Sequence, residues 1–143
     1  MLFRSKEKLG CFLFQLPPNL HYHKEKLIEI LDQLDEDRKN VLEFRHPSWW
    51  NKEVYKEMEG RAIFCVVSHP SLPDEFVKTM KEVYVRFHGR KELYSSSYSK
   101  KELEEWSEKL KKNSWAYFNN DFGCNAVKNA KTLMKISRHP SSR

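Results

Sequence analysis

Residues 83–89 read Val-Tyr-Val-Arg-Phe-His-Gly, a β-branched and aromatic run of strand length closed by a glycine. Side chains alternate across a strand, so Val83, Val85 and Phe87 share one face while Tyr84, Arg86 and His88 share the other. A strand covered on both faces of a parallel sheet should be nearly all apolar. Here one face turns polar toward the C-terminal end, the end at which parallel α/β proteins build their ligand sites.

The same pattern recurs on both sides. In residues 41–46, VLEFRH, Leu42 and Phe44 oppose Glu43 and Arg45. In the first run Gln15 opposes Phe14 and Leu16, and the last run ends in Asn119, Asn120 and Asp121. Five apolar runs of strand length result, at 11–16, 41–44, 62–67, 83–87 and 115–118. Helical spacing fills most of the intervals. Residues 23–34 place Leu27, Ile28, Ile30, Leu31 and Leu34 on one face; 50–58 is a shorter candidate; 125–136 carries Ala126, Val127, Ala130, Leu133, Met134 and Ile136. Residues 99–110 open with Ser99 and Glu102 in capping-box spacing, with Leu103, Trp106 and Leu110 as the apolar stripe. The interval 68–82 differs: it holds Pro70 and Pro73, with room for a short helix near 74–80.

Strand–helix alternation implies a parallel sheet with right-handed crossovers. The fold expected is α/β, a parallel β/α barrel of TIM type. With 143 residues it is incomplete, because a full barrel takes about 250 residues. Residues 1–137 form one partial barrel domain in this reading, and 138–143 a polar tail.

The net charge of +6 suits an anionic partner, although the lysines fall mostly in mixed-sign stretches such as 100–112. Cys11, Cys65 and Cys124 match no disulfide or zinc spacing, which points to reduced thiols and a cytoplasmic location. No apolar run approaches the roughly 18 residues of a membrane helix, and residues 1–8 lack the apolar core of a signal peptide.

Three strand ends carry the chemistry. Glu43 and Arg45 put a carboxylate beside a guanidinium, suited to a general base near a cation that holds an anionic or polyhydroxyl substrate. His46 follows, then Pro47 turns the chain, and Trp49 or Trp50 would wall a ring or pack on the barrel rim. Arg86 would clamp a phosphate or carboxylate, His88 would exchange protons, and Gly89 would admit a ligand close to the backbone. Asn119, Asn120 and Asp121 precede a helix whose N-terminus could hold an anion; an Asx turn or helix cap by Asp121 is the competing reading. Tyr94 and Tyr98 flank 95–97 in a loop that would act as a lid or as an ordinary surface loop. A divalent metal would draw on Glu43, His46, His69, His88 and Asp121, but no HExxH or comparable spacing supports one, and no cofactor is specified. A purely structural alternative is an ion-pair network of Glu43, Arg45, Arg86 and Asp121 that fixes strand register.

The strings LGCFLFQLPP, LEFRHPSWW, VYVRFHGR and YFNND, with Tyr94, Tyr98, Ala126 and 129–130 after them, resemble the YecE-like family, domain of unknown function 72. The resemblance implies a β/α barrel loosely grouped with sugar isomerases, without supplying a reaction. It points to Gln15, Pro17, Pro18, Glu43, Arg45, His46, Trp49, Arg86, His88, Gly89, Asn119, Asn120 and Asp121. It also implies that these are strands four to eight of the barrel, either as a truncated or split form or with a like chain or a partner supplying the rest.

The sequence thus leads to an enzyme-type site for a sugar or phosphorylated small molecule. Glu43, Arg45, His46, Arg86, His88 and Asp121 would be catalytic; Gln15, Trp49, Gly89, Tyr98, Asn119 and Asn120 would bind substrate. The alternatives are a non-catalytic module for an anionic ligand, with nucleic acid less favoured, and an inactive fragment awaiting a partner chain.

Overall fold

A computed structural model describes residues 9–110 and 113–138. Its strands are β1 (Cys11–Gln15), β2 (Lys39–Glu43), β3 (Ile63–Ser68), β4 (Val83–Phe87) and β5 (Ser114–Phe118). All pair in parallel in the order β1-β2-β3-β4-β5 and curl into a half-barrel, an incomplete α/β barrel. The flanking helices are α1 (Lys24–Asp32), α2 (Lys52–Met58), α3 (Lys100–Lys109) and α4 (Asn125–Arg138). Helix α4 runs through Arg138, so only 139–143 of the expected tail lie outside the described residues, as do residues 1–8.

Local chemistry sets the helix starts. Ser99 Oγ accepts from Glu102 N at 3.3 Å and Glu102 Oε2 accepts from Ser99 N at 2.8 Å, the reciprocal bonds anticipated for α3. Asn51 Oδ1 accepts from Val54 N at 3.0 Å and caps α2. Before α2, Pro47 opens a single 3-10 turn, Pro47–Trp49.

Alternation divides the strand side chains between two environments. Outward, Leu42, Phe44 and Phe64 pack on Leu27 and Leu31 of α1 and on Val54 and Met58 of α2. Val85 and Phe87 pack on Leu103 and Trp106 of α3 and on Leu133 of α4. Each such buried side chain contributes about 1.5–3 kcal/mol. Inward, Val41, Ile63, Cys65 and Tyr84, with Leu13 and Trp115, form an apolar floor. All six residues of β3 are buried, whereas Phe14 on β1 and Tyr117 on β5 are 44% and 46% exposed. Burial therefore falls toward both edges of the sheet.

The short helix expected near 74–80 does not form. The segment bonds to β3 and its flanks instead. Thr79 Oγ1 donates to Ala62 O at 2.6 Å and accepts from Phe64 N at 2.9 Å, while Thr79 O accepts from Gly60 N at 3.0 Å. Val77 is buried in the outer core. These contacts satisfy backbone groups of buried Ala62 and Phe64 and outweigh local helix propensity. Thr79→Val keeps the shape but strands the buried Phe64 N–H, so stability should fall by about 1–3 kcal/mol. Urea denaturation reads this directly, and an unchanged midpoint would contradict it.

Candidate active site

At the C-terminal ends of the strands the inward face changes from apolar to charged. Glu43, the last residue of β2, is fully buried directly above the floor. Its carboxylate is saturated: Oε2 accepts from Arg86 Nη1 at 2.6 Å, and Oε1 accepts from Arg45 Nη1 at 3.1 Å and faces His88 Nε2 at 3.1 Å. Burial pushes this carboxyl up, but the His88 and Arg86 hydrogen bonds and charges outweigh it, holding Glu43 below its ordinary value of 4.5.

Arg86 spans the sheet. Besides Glu43 on β2, its Nη1 donates to Gln15 Oε1 on β1 at 3.0 Å, and its Nε donates to Asn119 Oδ1, just past β5, at 3.1 Å. In a flat sheet β1 would lie about 14 Å from β4, three strand spacings away. One guanidinium reaches both edges only because the sheet is curled. The side chains of Arg45 and Arg86 are 14% and 17% exposed, so both line the mouth of the half-barrel without being sealed into it.

His88 is buried between Glu43 and the loop that follows β4. Glu43 can only accept, so the His88 Nε2 proton faces it. His88 Nδ1 is buried and has no hydrogen-bond partner among the described residues. Tyr94 meets the ring edge-on at 5.7 Å and holds φ +62, a left-handed backbone conformation that costs a non-glycine residue about 1–2 kcal/mol. The loop is tied down: Tyr94 N donates to His88 O, Phe122 N to Tyr94 O, and Asn120 Nδ2 to Ser96 O. Gly89 begins it at φ +103, where a Cβ would lie 2.2 Å from Glu92 O. Only glycine fits there.

Of the residues singled out in the sequence, Gln15, Glu43, Arg45, Arg86, His88 and Asn119 meet in one bonded cluster. Others are placed elsewhere. His46 stacks on His21 at 3.8 Å and accepts from Ser48 N, capping the 3-10 turn. Trp49 is fully buried, stacked on Phe44 at 4.3 Å, with Nε1 donating to Leu20 O, so it is core and not a ligand wall. Tyr98 is buried beside Phe87; its hydroxyl donates to Ser68 Oγ at 2.8 Å and accepts from Gly89 N at 3.1 Å, bracing the loop from behind. Asn120 is buried on the outer face and donates to Asn129 Oδ1 at 2.9 Å. Asp121 is exposed and makes no side-chain cap bond. The five residues considered for a metal do not converge, and no group of three or more suitable ligands occurs among the described residues.

His69, considered in the sequence only as a metal ligand, stands beside this cluster. It follows β3 directly, half-buried, with its ring edge-on to His88 at 6.0 Å. The alternation Ile63, Cys65, Val67 carries on to residue 69, which would have placed it on this face.

A curled parallel β/α sheet with helices packed on its outer face defines the class: an incomplete α/β barrel, with a buried charged cluster at the strand ends where barrels usually build their sites. The model of the family described as "Protein of unknown function DUF72" matches residues 1–142, and the chain belongs to that family. A DUF72 family protein from Thermotoga maritima MSB8 superposes with a TM-score of 0.80 at 26% identity, covering 94% of this chain and 60% of that one. A DUF72 family protein from Enterococcus faecalis V583 superposes with a TM-score of 0.76 at 23% identity, again covering 94% and 60%. The chain thus spans 60% of the length of these two solved relatives. No curated protein matches it significantly.

The carboxylate predicts a pH dependence. Glu43→Gln leaves two partly buried guanidinium groups facing a neutral amide, and should cost about 3 kcal/mol at pH 7, the low end for breaking a buried pair because both arginines reach the mouth. The folded-state pKa of Glu43 is depressed, so its contribution is complete above 4.5 and is lost as pH falls through the lower folded value. The stability gap between wild type and Glu43→Gln should therefore hold steady down to about pH 5 and close below it. Urea midpoints across pH 3–7 measure it, and a gap that stays constant to pH 3 would contradict the assignment.

Proposed function

We propose that the strand-end cluster binds a small anionic or polyhydroxyl molecule, a sugar or phosphorylated metabolite, and transfers a proton on it. The observation that carries this reading is a charge imbalance at one mouth. Among the described residues two guanidinium groups, Arg45 and Arg86, share a single carboxylate, Glu43, so the cluster there keeps one uncompensated positive charge before His88 is counted. Both arginines reach the mouth, and a ligand anion would complete their pairing.

The geometry refines the roles. Glu43 has both oxygens engaged and a depressed pKa, which makes it a weak base. It serves better as the group that orients His88, leaving His88 as the proton carrier. Gln15 and Asn119 hold Arg86 from either edge and lie where they would meet ligand hydroxyls. An isomerisation of the sugar-isomerase kind suits a proton carrier set beside an anion clamp. The edges β1 and β5 would pair with further strands, from a second copy or a partner chain. The thiols Cys11, Cys65 and Cys124 are free, which fits a cytoplasmic location.

Inorganic phosphate and ribose 5-phosphate test the reading by titration calorimetry at low and high salt. Among the described residues Arg45 bonds Glu43 alone, whereas Arg86 bonds three side chains, so Arg45→Ala disturbs the fold less. It should weaken both ligands about tenfold or more, the loss of one charge-assisted hydrogen bond. Equal affinity in wild type and variant would contradict the proposal, whereas binding without turnover of any sugar phosphate would identify a binding module.

A further inference from the structure

His69 continues the inward series of β3, and β3 lies between β2 and β4. It therefore stands between Arg45 and His88, at the centre of the mouth. Its Nδ1 accepts a hydrogen bond from the backbone N–H of Ser71 at 3.1 Å. A ring nitrogen that accepts carries no proton, so the neutral imidazole holds its proton on Nε2. Nε2 makes no hydrogen bond to any described residue. The backbone turn, Leu72 N to His69 O, fixes the residue that supplies the Ser71 contact.

We propose that His69 is a neutral hydrogen-bond donor to the ligand, its Nε2–H meeting a carbonyl or hydroxyl oxygen of a molecule whose anionic group Arg45 and Arg86 hold. The inference rests on the anion-site reading above and names what that reading leaves open, the second recognition element of the ligand. The surroundings favour a neutral ring. Burial lowers the His69 pKa most, Arg45 and His88 lower it further, and the Glu43 carboxylate opposes them. A neutral imidazole donates without adding a third positive charge beside two arginines, and it polarises an oxygen without surrendering its proton. The ligand class follows: a small phosphate or carboxylate bearing an oxygen function close to its anionic group.

Two probes separate the parts. Inorganic phosphate offers the anion alone, and dihydroxyacetone phosphate adds a carbonyl. His69→Ala should weaken dihydroxyacetone phosphate about tenfold and leave inorganic phosphate unchanged, the loss of one net hydrogen bond. In His69→Gln the amide N–H sits near the place of Nε2–H, and affinity should return to within about threefold of wild type. Nitrogen-15 NMR of the wild type at pH 7 should show Nδ1 unprotonated and Nε2 protonated. Equal dihydroxyacetone phosphate affinity in wild type and His69→Ala, or a proton on Nδ1 at pH 7, would overturn the His69 assignment. If Arg45→Ala still weakens phosphate in that case, the anion site stands without it. If neither probe binds the wild type, the anion-site reading fails and His69 falls with it.

Discussion

A single carboxylate, Glu43, sets the terms for the inner face of this half-barrel. It is buried completely, and burying a carboxylate costs several kcal/mol unless charge and hydrogen bonds offset it. Arg86 supplies both, at 2.6 Å, from two strands away. To do so it crosses above β3, and from there it also reaches Gln15 and Asn119 at opposite ends of the sheet. The curl of the sheet and the integrity of the cluster are thus one constraint: flattening the sheet would pull Arg86 from its edge partners. The apolar floor of Val41, Ile63, Cys65 and Tyr84 excludes water from below and strengthens the interaction.

The outer packing makes this arrangement affordable. Phe44 and Phe87 neighbour the charged residues in sequence but point the other way, into the helices. Trp49 stacks on Phe44, and Tyr98 packs on Phe87 while its hydroxyl holds Gly89 N. Helical packing and loop bracing thereby fix the backbone on which Glu43, Arg86 and His88 stand. The charged cluster thus stands on a braced backbone, and within it Arg45 and Arg86 share the Glu43 carboxylate.

Strand periodicity made much of this legible. The five runs correspond to the five strands, with limits within about two residues, and the Ser99–Glu102 pair marks the start of α3. Alternation also separates Asn119, which faces inward to Arg86, from Asn120, which faces outward to Asn129. The same rule sends His46 out with Leu42 and Phe44, where it caps a turn. Grouping residues by chemical type and strand-end position, without that parity, drew His46 and Asn120 into the candidate site. Trp49 and Tyr98 are harder cases, because an aromatic beside a turn serves core and ligand equally well until its partners are known. Thr79 was not legible: its two bonds to Ala62 and Phe64 are tertiary, and nothing local in 69–82 signals them. His69 lay within reach of the alternation rule, one step past the end of an apolar run.

The dependence of the inner face on one ion pair is measured most directly by a double-mutant cycle between Glu43 and Arg86, using Glu43→Gln, Arg86→Met and the pair, with stability read by urea denaturation at pH 7. Two groups in buried contact should couple by about 2 kcal/mol, leaving the double variant more stable than the sum of the single losses. Additivity within about 0.5 kcal/mol would show that the two side chains act independently, and would contradict this account.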